Sequence, residues 1–245
     1  MANNIDNLNG EMLARACLFA AKGDVRYYLN GVFIEKRPGG GVYIVATNGH
    51  YLCVYEDKEA FAHVAFKEVI LNVYQENSKK LNPVFTQLKK TDSKRVDLVD
   101  MDASADGTID PFPKQLYLVQ ADEDGDSVAT RLPVLEGTFP DWQRVVSSGF
   151  DLSEPVSFNT KYLAKLKDFV LKEENKRFPT MALVSGSPTG SNVWQSENGV
   201  VVIMPTRLGE DFKISKLVEP EVIELEEVEL EEVELEEVEL EEVAQ

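Results

Sequence analysis

The chain has 245 residues, 43% of them hydrophobic, a formal net charge of −18, two cysteines and two histidines. That length supports one large or two ordinary cored domains, while no apolar run approaches the ~20 residues of a membrane-spanning helix. The opening MANNIDNLNG lacks the basic start and apolar centre of a secretion signal, so a soluble, cytoplasmic protein is expected.

The negative charge is unevenly placed. Residues 219–245 hold 14 of the 43 acidic residues and no Lys or Arg, so residues 1–218 carry 29 acids against 25 bases, a balance of −4. A nearly neutral body can still carry a basic face. Cys17 and Cys53 lack metal or redox spacing and are expected as buried thiols.

Residues 9–22 (NGEMLARACLFAAK) predict a helix capped by Asn9 and stopped at Gly23. Met12, Leu13, Ala16, Cys17, Phe19 and Ala20 form its apolar stripe, and Arg15 and Lys22 fall on the other face. A three-stranded antiparallel meander follows: 25–34, the Pro38-Gly39-Gly40-Gly41 turn, 42–46, and 51–55 after a two-residue Asn48-Gly49 connection with positive φ at both positions. That hairpin presents Thr47, His50 and Tyr51 at the sheet margin. Residues 63–74 are strand-like, 83–90 predict a short helix, and 96–101, 115–120 and 128–135 predict strands.

Between the first two of these, DMDASADGTIDPFP partly resembles a calcium loop through Asp102, Ser104, Asp106 and Gly107. Pro113 stands where a bidentate Glu is needed and strands flank the stretch, so a solvated loop is expected. Residues 122–126 (DEDGD) read as a hairpin tip. Further on, 147–153 reads as a connector, 156–158 as a short strand, and 161–174 as a helix capped by Asn159 or Thr160. That helix places Tyr162, Leu163, Leu166, Phe169 and Val170 on one face and Lys161, Lys165 and Lys172 on another. Strands are expected at 181–185, 192–196 and 200–204. Helices recurring beside antiparallel strands imply an α+β fold.

From Glu224 to Val243 the pentapeptide Glu-Leu-Glu-Glu-Val repeats four times. Its spacing fits neither a helical stripe nor strand alternation, and charge repulsion favours an extended, disordered tail. A phosphate-mimicking or partner-binding role is the alternative. No phosphate-cradling glycine loop, zinc spacing or Ser/His/Asp set is present, so no catalysis, metal or cofactor is expected.

Three separated stretches carry a resemblance. VRYYLNGVFIE with ATNGHYLCV (25–35 and 46–54), GTFPDWQRVV (137–146) and VVIMPTRL (201–208) together resemble the bacterial sliding clamp, the beta subunit of DNA polymerase III. The family's segments read VRYYLNG, ATDGHRLAV, FPDYRRV and VMPMRL, and the resemblance covers most of 9–208. It implies the DNA-clamp (processivity) fold, with helices lining a pore around duplex DNA and sheets outside. It also implies a hydrophobic groove where DNA polymerase and repair proteins dock short peptides with leucine and aromatic anchors. Carried over, the groove comprises Thr47, Gly49, His50, Tyr51, Leu52, Pro140, Arg144, Val145, Val202, Met204, Pro205 and Thr206. Tyr51 stands where the family usually has Arg, and Thr206 where it often has Met.

The residue chemistry is consistent with such a groove. Leu52, Val145, Val202, Met204 and Pro205 supply an apolar floor, while Thr47, His50 and Arg144 supply orienting polar groups. Singly, these residues have plainer readings: His50 as a turn cap, Phe139 and Trp142 as core, MPTRL as the end of an edge strand. Arg15, Lys22, Lys161, Lys165 and Lys172 are the candidate DNA-facing cations, for salt-sensitive contact with double-stranded DNA without sequence specificity.

By resemblance, 1–148 corresponds to the family's middle domain, 149–212 to the end of its last domain, and 213–245 is an acidic tail. The first domain and the first module of the last have no counterpart, as in a shortened phage- or mobile-element-like variant. Those pieces close the family's dimeric ring, so the expected homo-oligomer would close otherwise, for example as a trimer. The alternative is a non-ring paralogue acting as decoy or adaptor for clamp-binding proteins.

Overall fold

The computed structural model describes residues 4–75, 78–90, 95–101, 114–121, 127–151, 156–172 and 180–207. It begins with β1 (Ile5–Asn9), α1 (Gly10–Ala16), a 3-10 turn (Tyr27–Asn30), β2 (Gly31–Lys36), β3 (Val42–Thr47) and β4 (Tyr51–Asp57). Next come β5 (Phe61–Ala62), β6 (Glu68–Asn72), α2 (Pro83–Leu88), β7 (Arg95–Val99), β8 (Gln115–Ala121) and β9 (Ser127–Pro133). A second 3-10 turn (Trp142–Val145), β10 (Gly149–Phe150), α3 (Thr160–Leu163), α4 (Lys165–Phe169), β11 (Ala182–Gly186), β12 (Asn192–Ser196) and β13 (Gly199–Ile203) complete it.

The fold is α+β, built on two sheets ordered β5-β1-β7-β8-β9 and β10-β11-β12-β13-β4-β3-β2-β6. Pairing is antiparallel except between β10 and β11. The described residues belong to one compact unit, Met1–Leu208. The Glu-rich repeats, the calcium-like stretch at 102–113 and the acidic 122–126 lie outside the described residues. Among the described residues no helix is long and apolar enough to cross a membrane.

Strands β2, β3, β4 and β13 are apolar at nearly every position because both faces of their sheet are covered. Val32, Ile34, Ile44, Ala46, Cys53, Tyr55, Val201 and Ile203 face the main core with Leu13, Phe19 and Phe169. Their chain neighbours Phe33, Val45, Leu52, Val54 and Val202 join a smaller cluster with Leu135, Phe139, Trp142 and Val145. Period-two alternation therefore sorts one hydrophobic run between two cores. At Gly199 (φ +141°) an added Cβ would stand 2.0 Å from the Val54 carbonyl oxygen, so only glycine lets β13 close on β4.

Several expectations are corrected. The expected strand at 25–34 begins only at Gly31. Before it, the Asn30 side chain accepts from Asp24 N (2.9 Å) and donates to Asp24 O (3.0 Å), and Asp24 Oδ1 accepts from Arg26 N (2.9 Å), a local bonding pattern that competes with the ladder. Residues 48–50 connect β3 to β4 as a three-residue loop in which only Gly49 has positive φ. Asn48 Oδ1 instead accepts from His50 N (2.9 Å) and Tyr51 N (3.1 Å). The expected strand at 156–158 is not one, although Ser157 O accepts from Thr206 N at 2.8 Å.

Helix α1 is capped by Asn9, as expected, but ends at Ala16 and is buried on every side, so it has no basic outer face. Phe19 is fully buried beyond its end, edge-on to Tyr51 and Phe169. The helix expected over 161–174 divides into α3 and α4 and stops at Phe169. There the Tyr55 hydroxyl donates to Phe169 O (2.6 Å), taking a carbonyl that another helical turn would use, and Lys172 N donates to Glu11 Oε1 (2.9 Å). Strand β1 was not expected: Asn7, at φ +59°, and a register shift between Ile5 and Leu8 break its alternation.

Candidate functional site

Three parts of the chain meet on the face of the larger sheet that carries the smaller hydrophobic cluster. The first is the β3–β4 loop. Its shape is set locally: Thr47 Oγ1 donates to Tyr51 O (2.7 Å) and accepts from Gly49 N (3.1 Å). Gly49 has φ +89°, and an added Cβ would lie 3.1 Å from Arg26 Nη2, so the loop needs glycine both for its turn and for the guanidinium laid against it. The second part is residues 134–146, a strap across the sheet. Leu135 N donates to Ile70 O (2.8 Å), and the Phe139 ring stacks on Phe33 with centroids 4.7 Å apart and planes within 2°. The third is Met204, which leaves β13 with its N–H bonded to His50 O at 2.9 Å.

A hollow of about 200 Å³ lies where these parts meet. Of the expected groove residues, Thr47, Gly49, His50, Tyr51, Leu52, Pro140, Val145, Val202 and Met204 border it. Arg26, Leu29, Phe139, Asp141 and Trp142 complete the lining. Arg26 and Leu29 were missed because 25–34 read as an ordinary strand. The signal for them was the VRYYLNG stretch itself.

Arg144, Pro205 and Thr206 do not border the hollow. Arg144 is exposed, pairs with Asp141 at 2.9 Å, and faces an adjoining hollow shared with Val145 and Met204. Such an exposed pair contributes little. Thr206 is turned to Ser157 through its backbone.

The hollow is smaller than the about 300–1,000 Å³ of small-molecule sites, with room for one or two side chains rather than a whole cofactor. Its walls are firm. His50 stacks on Tyr162 at 5.4 Å, and Trp142 Nε1–H donates to Glu35 Oε1 at 2.8 Å. Arg26 is gripped by Asp24 through two bonds of 3.0 and 2.9 Å, and that pairing holds the Asp24 carboxyl down at about 2. Burial pushes the Tyr51 hydroxyl and the Glu35 carboxyl upward.

The candidate DNA-facing cations are not alike. Arg15, expected on an exposed face, is buried. It pairs with the fully buried Glu11 at 2.7 Å and donates to Asp168 O at 3.0 Å, because α2 and α4 pack against α1. Lys165 donates to Leu18 O (2.9 Å) and Asp168 Oδ2 (3.0 Å) beside the Phe19 and Tyr51 rings. The Lys172 ammonium bonds Lys90 O. Lys22 and Lys161 are exposed, and Lys22 and Lys165 border one further hollow with Asn48 and Tyr51.

Cys17 and Cys53 are free and buried, and burial pushes both thiols above the ordinary range, which leaves neither as a nucleophile at neutral pH. Among the described residues no group of three or more His, Cys, Asp or Glu could hold a metal ion.

No protein-family model matches the chain, and no curated protein does. Solved structures do. The DNA polymerase sliding clamp of Pseudomonas aeruginosa is similar at TM-score 0.60 and 17% identity, over 85% of this chain and 68% of that one. The DNA polymerase III beta subunit of Thermotoga maritima is similar at TM-score 0.55 and 15% identity, over 85% and 67%. A Pseudomonas aeruginosa clamp bound to griselimycin is similar at TM-score 0.55 and 16% identity, over 83% and 65%. The chain thus has the sliding-clamp fold and spans about two thirds of the length of these neighbours.

Proposed function

We propose that this chain is a sliding-clamp-like processivity factor whose cleft receives the apolar anchors of short peptides from a DNA polymerase or other partner proteins. The convergence of the 47–52 loop, the 139–145 strap and Met204 on one apolar hollow carries this reading. Backbone and ring contacts preform the hollow, which limits the entropy cost of capture. Methionine at its rim repacks readily around different anchors. The reading assigns the chain no catalysis.

Fluorescence anisotropy with a short labelled peptide carrying leucine and phenylalanine anchors tests it, with griselimycin as competitor. Changing Leu52 and Met204 together to Ala should weaken the peptide by at least about fivefold, the loss of one contact worth about 1 kcal/mol, with circular dichroism unchanged. Unchanged affinity overturns the reading.

In the ring form of this proposal, 1–148 and 149–212 are two clamp-like pieces of one subunit in a homo-oligomer around duplex DNA. A decoy or adaptor without a ring is favoured by a separate observation: Arg15, Lys165 and Lys172 are engaged within the fold. Retention on closed circular DNA that disappears on linearisation supports the ring. Retention indifferent to linearisation, with a monomeric native mass, supports the adaptor.

A further inference from the structure

Trp142 is the largest side chain bordering the cleft, and its one polar atom is committed elsewhere. The indole Nε1–H donates to Glu35 Oε1 at 2.8 Å, and the ring meets Tyr43 edge-on with centroids 5.2 Å apart. Glu35 stands in the sheet between Tyr43 of β3 and Glu68 of β6. Directly opposed strand residues share a face, so this row forms the footing on which the indole rests. The strap's other ring contact with the sheet, Phe139 on Phe33, lies two residues back along β2 on that same face. Beyond the backbone bond from Leu135 to Ile70, strap and sheet are thus joined at two neighbouring points, one apolar and one through a carboxylate.

We infer that Glu35 is a positioning residue for the cleft: its carboxylate holds the Trp142 indole as the cleft wall, so the grip on an apolar anchor depends on the charge of Glu35. This deepens the peptide-binding reading and rests on it. A hydrogen bond to an ionised acceptor is roughly twice as strong as one to a neutral acceptor. Linkage gives the sign. Burial raises the Glu35 carboxyl above its ordinary range, Glu68 and Asp141 raise it further, and the Trp142 bond opposes them. Because the indole favours the carboxylate, protonating Glu35 weakens the hold on the indole, and the wall loosens as pH falls through the raised value. The row continues through the Tyr43 hydroxyl to Glu56 of β4, which lies opposite Tyr43 and pairs at 3.7 Å with Arg37, whose guanidinium sits 5.9 Å over the Tyr43 ring.

The chain has two tryptophans, so in a Trp194→Phe background Trp142 is the only indole. Its emission and acrylamide quenching, followed without ligand from about pH 8 to about pH 4.5, should shift to the red and rise as Glu35 protonates. Glu35→Gln, which keeps an acceptor, should remove the titration, and Glu35→Leu should show the loosened signal throughout. If Trp194→Phe proves unstable, the Trp142 indole proton resonance in the unsubstituted chain reports the same titration. Affinity for the labelled peptide should fall several-fold over that interval in the parent and stay level in Glu35→Gln. This separates Glu35 from His50, which is the same in both proteins. Emission that titrates equally in Glu35→Gln, or that Glu35→Leu leaves unchanged, overturns the inference. A parent that binds no peptide at any pH while its emission titrates through Glu35 overturns the peptide reading and leaves the hold on Trp142 standing.

Discussion

Truncating Phe139 should damage binding and folding to different and calculable degrees. Phe139 is 7% exposed and lies flat on Phe33 at 4.7 Å, so Phe139→Ala removes both burial and a stacked pair. Phe→Ala changes in cores cost about 3–5 kcal/mol, of which the aromatic pair supplies about 0.5–1.5. The strap lies on the sheet surface and can settle into the space left behind, which places the cost near the lower end, at about 3 kcal/mol. If the whole unit senses that loss, melting falls by about 6–12 °C at the ~2–4 °C per kcal/mol usual for this size. If only the strap senses it, its released state gains about 150-fold in population, and peptide affinity falls by up to that factor. Anisotropy and thermal melting on the same preparation separate the cases. A melting point lowered as expected with affinity within about twofold of the parent would refute the strap as part of the peptide site.

Two further outcomes follow from single contacts. Arg15→Met leaves the fully buried Glu11 carboxylate without its cation and should destabilise the chain by about 3–5 kcal/mol in urea unfolding, with no change in the salt dependence of DNA binding. The double change Glu11→Leu with Arg15→Met should recover much of that loss. Gly49→Ala forces alanine to φ +89° and pushes a methyl against Arg26, costing about 1–2 kcal/mol and weakening the labelled peptide several-fold in anisotropy.

Local pattern was enough to read β3 and β4, the β8–β9 pair, the β12–β13 pair and the Asn9 cap, because each depends on residues close in the chain. Alternation, turn chemistry and a capping side chain act over a few residues and leave their mark in order. The cleft was legible only through three distant stretches taken together. Even then Arg144, Pro205 and Thr206 were assigned to it by position in a motif, while their side chains or backbones turn to Asp141 and Ser157 or away from the hollow.

Other features had no local mark. Strand β1 hides in IDNLN, where Asn7 bends the chain between its two buried apolar residues. The Glu11–Arg15 spacing announces an ion pair, but whether that pair meets water depends on α2 and α4, which close over α1 from elsewhere in the chain. The eight-stranded sheet rests on Val201 lying opposite Cys53, and the cleft wall on Trp142 reaching Glu35. Local composition states that a strand wants a partner or that an indole wants an acceptor. Which partner it finds across more than a hundred residues is decided when both faces of the sheet are covered at once, since that arrangement buries both cores and satisfies the polar groups between them.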